Sequence, residues 1–135
     1  MRNSYHCPHC LASLNPGNKL ILRIAHGSRA GLILLSPQVG NYTKILPDGF
    51  ELADGEGLTV SCPVCAEDLT SPANARFGEV LLRRGDEEFV RVYFSKTYGE
   101  EATFVVTNDE VHAYGPHAEQ YQSVNFFGEG AVKLD

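Results

Sequence analysis

The amino-acid sequence predicts an all-β protein with minimal helix. Three observations carry this prediction. Short apolar runs rich in β-branched and aromatic residues recur at roughly 8–12-residue spacing. Turn signals built on 13 glycines and 7 prolines separate them. No run of ten residues carries the apolar period of an amphipathic helix.

The elements follow in order. "NPGN" (Asn15–Asn18) places Pro16 and Gly17 for a type II turn. "KLILRIA" (Lys19–Ala25) predicts a strand buried on both faces apart from Arg23. "HGSRAG" (His26–Gly31) is expected as a loop, and "LILLS" (Leu32–Ser36) as a second strand ended by Pro37. "YTKIL" (Tyr42–Leu46) alternates weakly, and "GLTVS" (Gly57–Ser61) leads into a cysteine pair. "AEDLTSPANA" has room for one helical turn at most. An antiparallel meander is expected next: "EVLLRR" (Glu79–Arg84), "FVRVYFS" (Phe89–Ser95), "ATFVVT" (Ala102–Thr107) and "VHAY" (Val111–Tyr114), joined at "GDEE", Tyr98–Glu101 and "NDE". The one weak helix candidate is His117–Ser123. Ten of the 13 aromatic residues follow position 65 and are expected to form the core of this meander, Phe126 and Phe127 among them.

The four cysteines form two C-P-x-C pairs, Cys7-Pro8-His9-Cys10 and Cys62-Pro63-Val64-Cys65. Two such turns supply the four soft ligands of a tetrahedral zinc ion, and backbone N–H groups in each turn point at the sulfurs. Proline after the first cysteine fixes φ and removes one donor that would need a partner. "CPHC" alone also resembles the redox tetrapeptide of the thioredoxin superfamily. That family needs a strand before the motif and a long helix after it. Only six residues precede Cys7, and Pro16 and Gly17 stop any helix soon after Cys10.

The paired turns resemble zinc ribbons and, less closely, rubredoxin. The resemblance covers about twenty residues and implies a metal-binding module. Leu11 and Ala66 stand where those families usually carry glycine, and 51 residues separate Cys10 from Cys62. The chain is expected to form a zinc-ribbon-like unit over residues 1–72 with a structured β insert, and a meander over residues 73–135 that packs as a separate part or as one domain with the first. Cys7, Cys10, Cys62 and Cys65 are expected to bind one Zn2+ per chain, with iron as the less favoured metal. Four thiolates leave no open coordination position, so the site is expected to be structural and not catalytic.

Other candidates are weaker. His6 and His9 are expected beside the metal site and not in its ligand set, and His26 as an ordinary loop residue. His112 and His117, with Glu110 or Glu119, are a second candidate cluster for metal or acid–base work. No G-x-S-x-G, H-E-x-x-H or phosphate-loop motif is present.

The net charge of −6 is unevenly spread. Residues 1–47 carry five basic side chains and no acidic one; the rest carry six basic and all 17 acidic ones. A globally acidic chain disfavours nucleic acid as a partner, yet Arg23, Arg29 and Lys44 keep a salt-dependent interaction in view. No apolar run approaches membrane-helix length, and the first ten residues carry no signal-peptide core, so the expected compartment is the cytoplasm. The leading expectation is a non-enzymatic module that binds another protein. A nucleic-acid-binding ribbon and a thiolate-based redox or metal sensor are the alternatives. The complementary charge halves permit a homodimer.

Overall fold

The computed structural model describes residues 3–72, 74–107 and 110–121. The described residues form nine strands: β1 (Asn3–His6), β2 (Leu20–His26), β3 (Arg29–Leu35), β4 (Lys44–Ile45), β5 (Thr59–Ser61), β6 (Phe77–Arg84), β7 (Val90–Ser95), β8 (Thr103–Val106) and β9 (Val111–Tyr114). A single 3-10 turn, Ala118–Tyr121, is the helical content of the described residues. The all-β expectation holds.

The strands make two antiparallel sheets. One has the order β1-β6-β7-β8-β9, the other β4-β3-β2-β5. The expected meander is present as β6 to β9, each strand paired with the next. β1 adds to its free edge through Tyr5↔Leu82 and His6↔Leu81. The sheet therefore joins the first described residues to the last described strands.

Alternation decides which side chains meet. Leu20, Leu22 and Ile24 on β2 face Val80 and Leu82 on β6, Val92 on β7 and Val105 on β8 in one core between the sheets. Each of these is almost fully buried, and each contributes about 1.5–3 kcal/mol by leaving water. The other face of the five-stranded sheet carries a second cluster around Phe77, Tyr93, Phe104 and Tyr121. Buried Glu79 sits on that face, where the Arg91 guanidinium donates to its carboxylate. Part of the expected aromatic core is thus outside the inter-sheet layer. Phe126 and Phe127 lie outside the described residues, as do Asn108 and Asp109 of the last expected turn.

Three local expectations need correction. "HGSRAG" is not a loop: β2 and β3 run to His26 and Arg29, and Gly27-Ser28 alone connect them. Gly27 takes φ 60° at the first central position, as a type II′ hairpin turn requires. Gly17 does not take the positive φ of a type II turn. Asn15 sets that corner instead. Its buried carboxamide accepts from the Tyr5 N–H at 2.8 Å and donates to the Asn3 carbonyl at 2.8 Å. The weak helix candidate shrinks to the 3-10 turn, with Gln122 and Ser123 outside the described residues.

Candidate metal centre

Each cysteine pair sits at the tip of a hairpin, and the two hairpins repeat one hydrogen-bond pattern. In the first, Leu14 N donates to Tyr5 O (2.8 Å), Cys7 N to Ala12 O (3.1 Å) and Leu11 N to Cys7 O (2.9 Å). In the second, Leu69 N donates to Val60 O (2.9 Å), Cys62 N to Glu67 O (3.0 Å) and Ala66 N to Cys62 O (2.9 Å). "YHCPHCLASL" and "VSCPVCAEDL" thus fold alike. The anchoring pairs, Tyr5 with Leu14 and Val60 with Leu69, are all buried in the inter-sheet core.

The turn geometry aims amide hydrogens at sulfur. His9 N lies 3.3 Å and Cys10 N 3.5 Å from Cys7 Sγ; Val64 N lies 3.3 Å and Cys65 N 3.4 Å from Cys62 Sγ. Such donors stabilise a thiolate. Closing this turn demands a left-handed residue after the second cysteine. Leu11 and Ala66 supply it at φ 63° and 66°. The position keeps the conformation that glycine usually serves, with a side chain paying the strain. Ala66→Gly is therefore expected to raise unfolding stability by about 0.5–1 kcal/mol. Chemical denaturation of the metal-loaded chain measures it, and a loss of stability would refute the strain argument.

The two hairpins bring the four sulfurs together. Cys7 Sγ lies 3.8 Å from Cys65 Sγ and Cys10 Sγ 3.8 Å from Cys62 Sγ. All four lie within 4.8 Å of one another. A tetrahedron with metal–sulfur bonds of about 2.3 Å has edges of about 3.8 Å. A disulfide would need about 2.05 Å, and all four cysteines are free. The donor set therefore fits a tetrahedral thiophilic ion. Cys7 and Cys62 are fully buried, whereas Cys10 is exposed.

Burial pushes the Cys7 thiol up to about 12. Burial acts in the same direction on Cys62, but the N–H groups of Cys65 and Val64 and the neighbouring Cys65 and Cys7 side chains together hold that thiol below its usual range. A bound dication favours the thiolate form at all four sulfurs.

The topology makes this cluster a junction. β1, one edge strand of the five-stranded sheet, delivers Cys7 and Cys10. β5, an edge strand of the four-stranded sheet, delivers Cys62 and Cys65. The second hairpin then runs out beside β6, where Glu79 N donates to Leu69 O at 2.7 Å.

The histidines are placed elsewhere. Both ring nitrogens of His6 are engaged, with Ser4 Oγ and with Leu11 O at 3.0 Å. His9 Nε2 lies 3.3 Å from Asp68 O and so links the two hairpins. His26 pairs with Glu56 at 3.5 Å. His112 lies 4.0 Å from Glu110, while His117 Nδ1 accepts from Glu101 N at 3.0 Å. Among the described residues the four cysteines are the one group of three or more His, Cys, Asp or Glu side chains with metal-binding spacing. His112 and His117 are not gathered into a second one. Among the basic residues, Arg23 is exposed on β2, Arg29 donates to Gly49 O, and Lys44 lies 5.3 Å above the Tyr98 ring.

Among the described residues no helix is long and apolar enough to cross a membrane. No protein-family model, curated protein or solved structure matches the chain.

Proposed function

We propose that Cys7, Cys10, Cys62 and Cys65 hold one zinc ion that pins the edges of two β-sheets together, and that the protein so held is a non-enzymatic module that binds another protein. The observation that carries the metal reading is the sulfur cluster, two edges of which are 3.8 Å and all of which lie within 4.8 Å, as suits a closed four-thiolate shell. A closed shell supplies no water to activate, so its work is structural. Elemental analysis of the native protein tests it: one zinc per chain is expected, and one iron per chain would name the other thiophilic metal.

The binding reading rests on the outer face of the four-stranded sheet. Ile21, Leu34 and Ile45 stand directly opposite one another across β2, β3 and β4. Leu32, on the same face of β3, is 51% exposed and Ile45 is 53% exposed. The solvated face of an antiparallel sheet is ordinarily polar, and an apolar row there marks an interaction surface. Leu32→Glu with Ile45→Glu is expected to leave folding within about 0.5 kcal/mol of wild type. The double variant should lose the partner that cross-linking mass spectrometry maps to this face. Cross-links unchanged in a folded double variant would refute this choice of face. Sedimentation of the isolated chain distinguishes a second copy from a different protein.

A further inference from the structure

The two sheets do not close on each other everywhere. A cavity of about 170 Å³ lies between them, walled by Leu22 and Ile33 of one sheet and Val80, Val92 and Phe94 of the other. Its origin is visible in the packing. Gly78 and Phe94 are cross-strand partners on the inner face. A Cβ on Gly78 would lie 2.7 Å from Phe94 Cε2, so the Phe94 ring lies back along its own sheet and leaves the space beyond it open.

One wall is polar. Tyr42 Oη and Thr103 Oγ1, 2.8 Å apart, both line the cavity. Tyr42 donates its proton to Tyr114 O at 3.2 Å, so Thr103 donates to Tyr42. Both hydroxyl protons are then spent, and what the pair still offers is lone pairs. The charged side chains at the mouth are turned to other groups: Lys44 to the Tyr98 ring, Lys96 to Thr70 Oγ1, and Glu100 to Ser95 Oγ. Glu101 also stands at the mouth, where it repels an anionic head group.

We infer that this cavity is a binding pocket for a small neutral apolar molecule bearing one hydrogen-bond donor, a single-ring phenol or alcohol being the fitting class. Size sets the upper bound. An apolar cavity of about 150 Å³ stays dry and takes a benzene-sized guest, and this one is slightly larger. The apolar walls supply the affinity. The Tyr42–Thr103 pair orients the donor.

The test uses the metal-loaded full chain and 4-methylphenol as probe, followed through the methyl NMR signals of Leu22, Ile33, Val80 and Val92. Saturable shifts confined to these methyls are expected, with a dissociation constant below about 1 mM. Toluene, which lacks the donor, should bind about tenfold more weakly, and octanoate should not compete. Gly78→Ala is expected to drive the Phe94 ring into the cavity and abolish binding. Val92→Leu, a milder filling of the same space, should weaken it in a chain of unchanged metal content. Absence of saturable shifts, shifts spread over the outer faces of the sheets, or undiminished binding in a folded filling variant would overturn the pocket. Toluene equal to 4-methylphenol, or octanoate in its place, would overturn the ligand class.

Discussion

Cys62→Ser is expected to lose both the metal and the fold. The described cysteines are all free, so no disulfide reinforces the junction between the sheets. A structural zinc contributes about 10–16 kcal/mol of apparent binding free energy coupled to folding. That is as large as the whole stability of a typical domain, about 5–15 kcal/mol. Cys62 is fully buried, so its own replacement mixes loss of a ligand with loss of a core side chain. Cys10→Ser separates the two. Cys10 is exposed, and an exposed side chain with no further role costs within about 0.5 kcal/mol on replacement. If Cys10 is a ligand, its serine variant should follow Cys62→Ser, with metal content by mass spectrometry and thermal unfolding falling together. A strong chelator should reproduce the effect in the wild-type chain, and added zinc should reverse it. A Cys10→Ser protein with wild-type melting would show that the sulfurs are packed and not bridged by an ion.

What the sequence made legible follows from where the information lies. β6 to β9 were readable because turn chemistry and apolar alternation lie within each segment, and each strand pairs with the next one in the chain. The two cysteine turns were readable because their hydrogen bonds close within six residues. β1 was not. Asn-Ser-Tyr-His has no apolar alternation of its own and becomes a strand only by pairing with β6, some eighty residues away. The Gly27-Ser28 hairpin was legible in principle, since glycine followed by serine between two apolar runs is a two-residue turn signal. The charged and small residues around it, Arg29 to Gly31, read instead as loop. The turn at Pro16-Gly17 failed for another reason: the buried carboxamide of Asn15 fixes that corner through β1, a long-range bond no local rule contains. The repeat was also longer than the cysteines. Leu14 and Leu69, each seven residues beyond the first cysteine of its pair, would have revealed matching hairpins. The inter-sheet cavity had no local signature at all, because it depends on how Phe94 lies over Gly78.

Gly115→Ala is expected to be the most damaging change away from the cysteines. Gly115 has φ 98°, outside the range an alanine adopts without strain. Backbone strain of this kind alone costs about 1–3 kcal/mol. Space is missing as well: a Cβ there would overlap the Glu101 carbonyl, 2.7 Å from its carbon, and would lie 2.6 Å from Tyr42 Oη. Neither neighbour is free to retreat. Glu101 is clasped from both sides by His117, whose N–H donates to Glu101 O at 3.1 Å and whose ring accepts from Glu101 N. Tyr42 is bonded to Thr103 and to Tyr114 O. The His117 ring, a candidate for chemistry in the sequence, therefore works here as a clasp on the turn that follows β9. The expected loss is at least about 3 kcal/mol, read as a lowered denaturation midpoint at unchanged metal content. That second readout matters: the cysteine junction lies on other strands, so a Gly115→Ala protein that unfolds early while still holding its metal would place the damage in the clasp. Wild-type stability in this variant would mean that the turn relaxes freely, and the bonds from His117 to Glu101 would then contribute little to holding β9 in place.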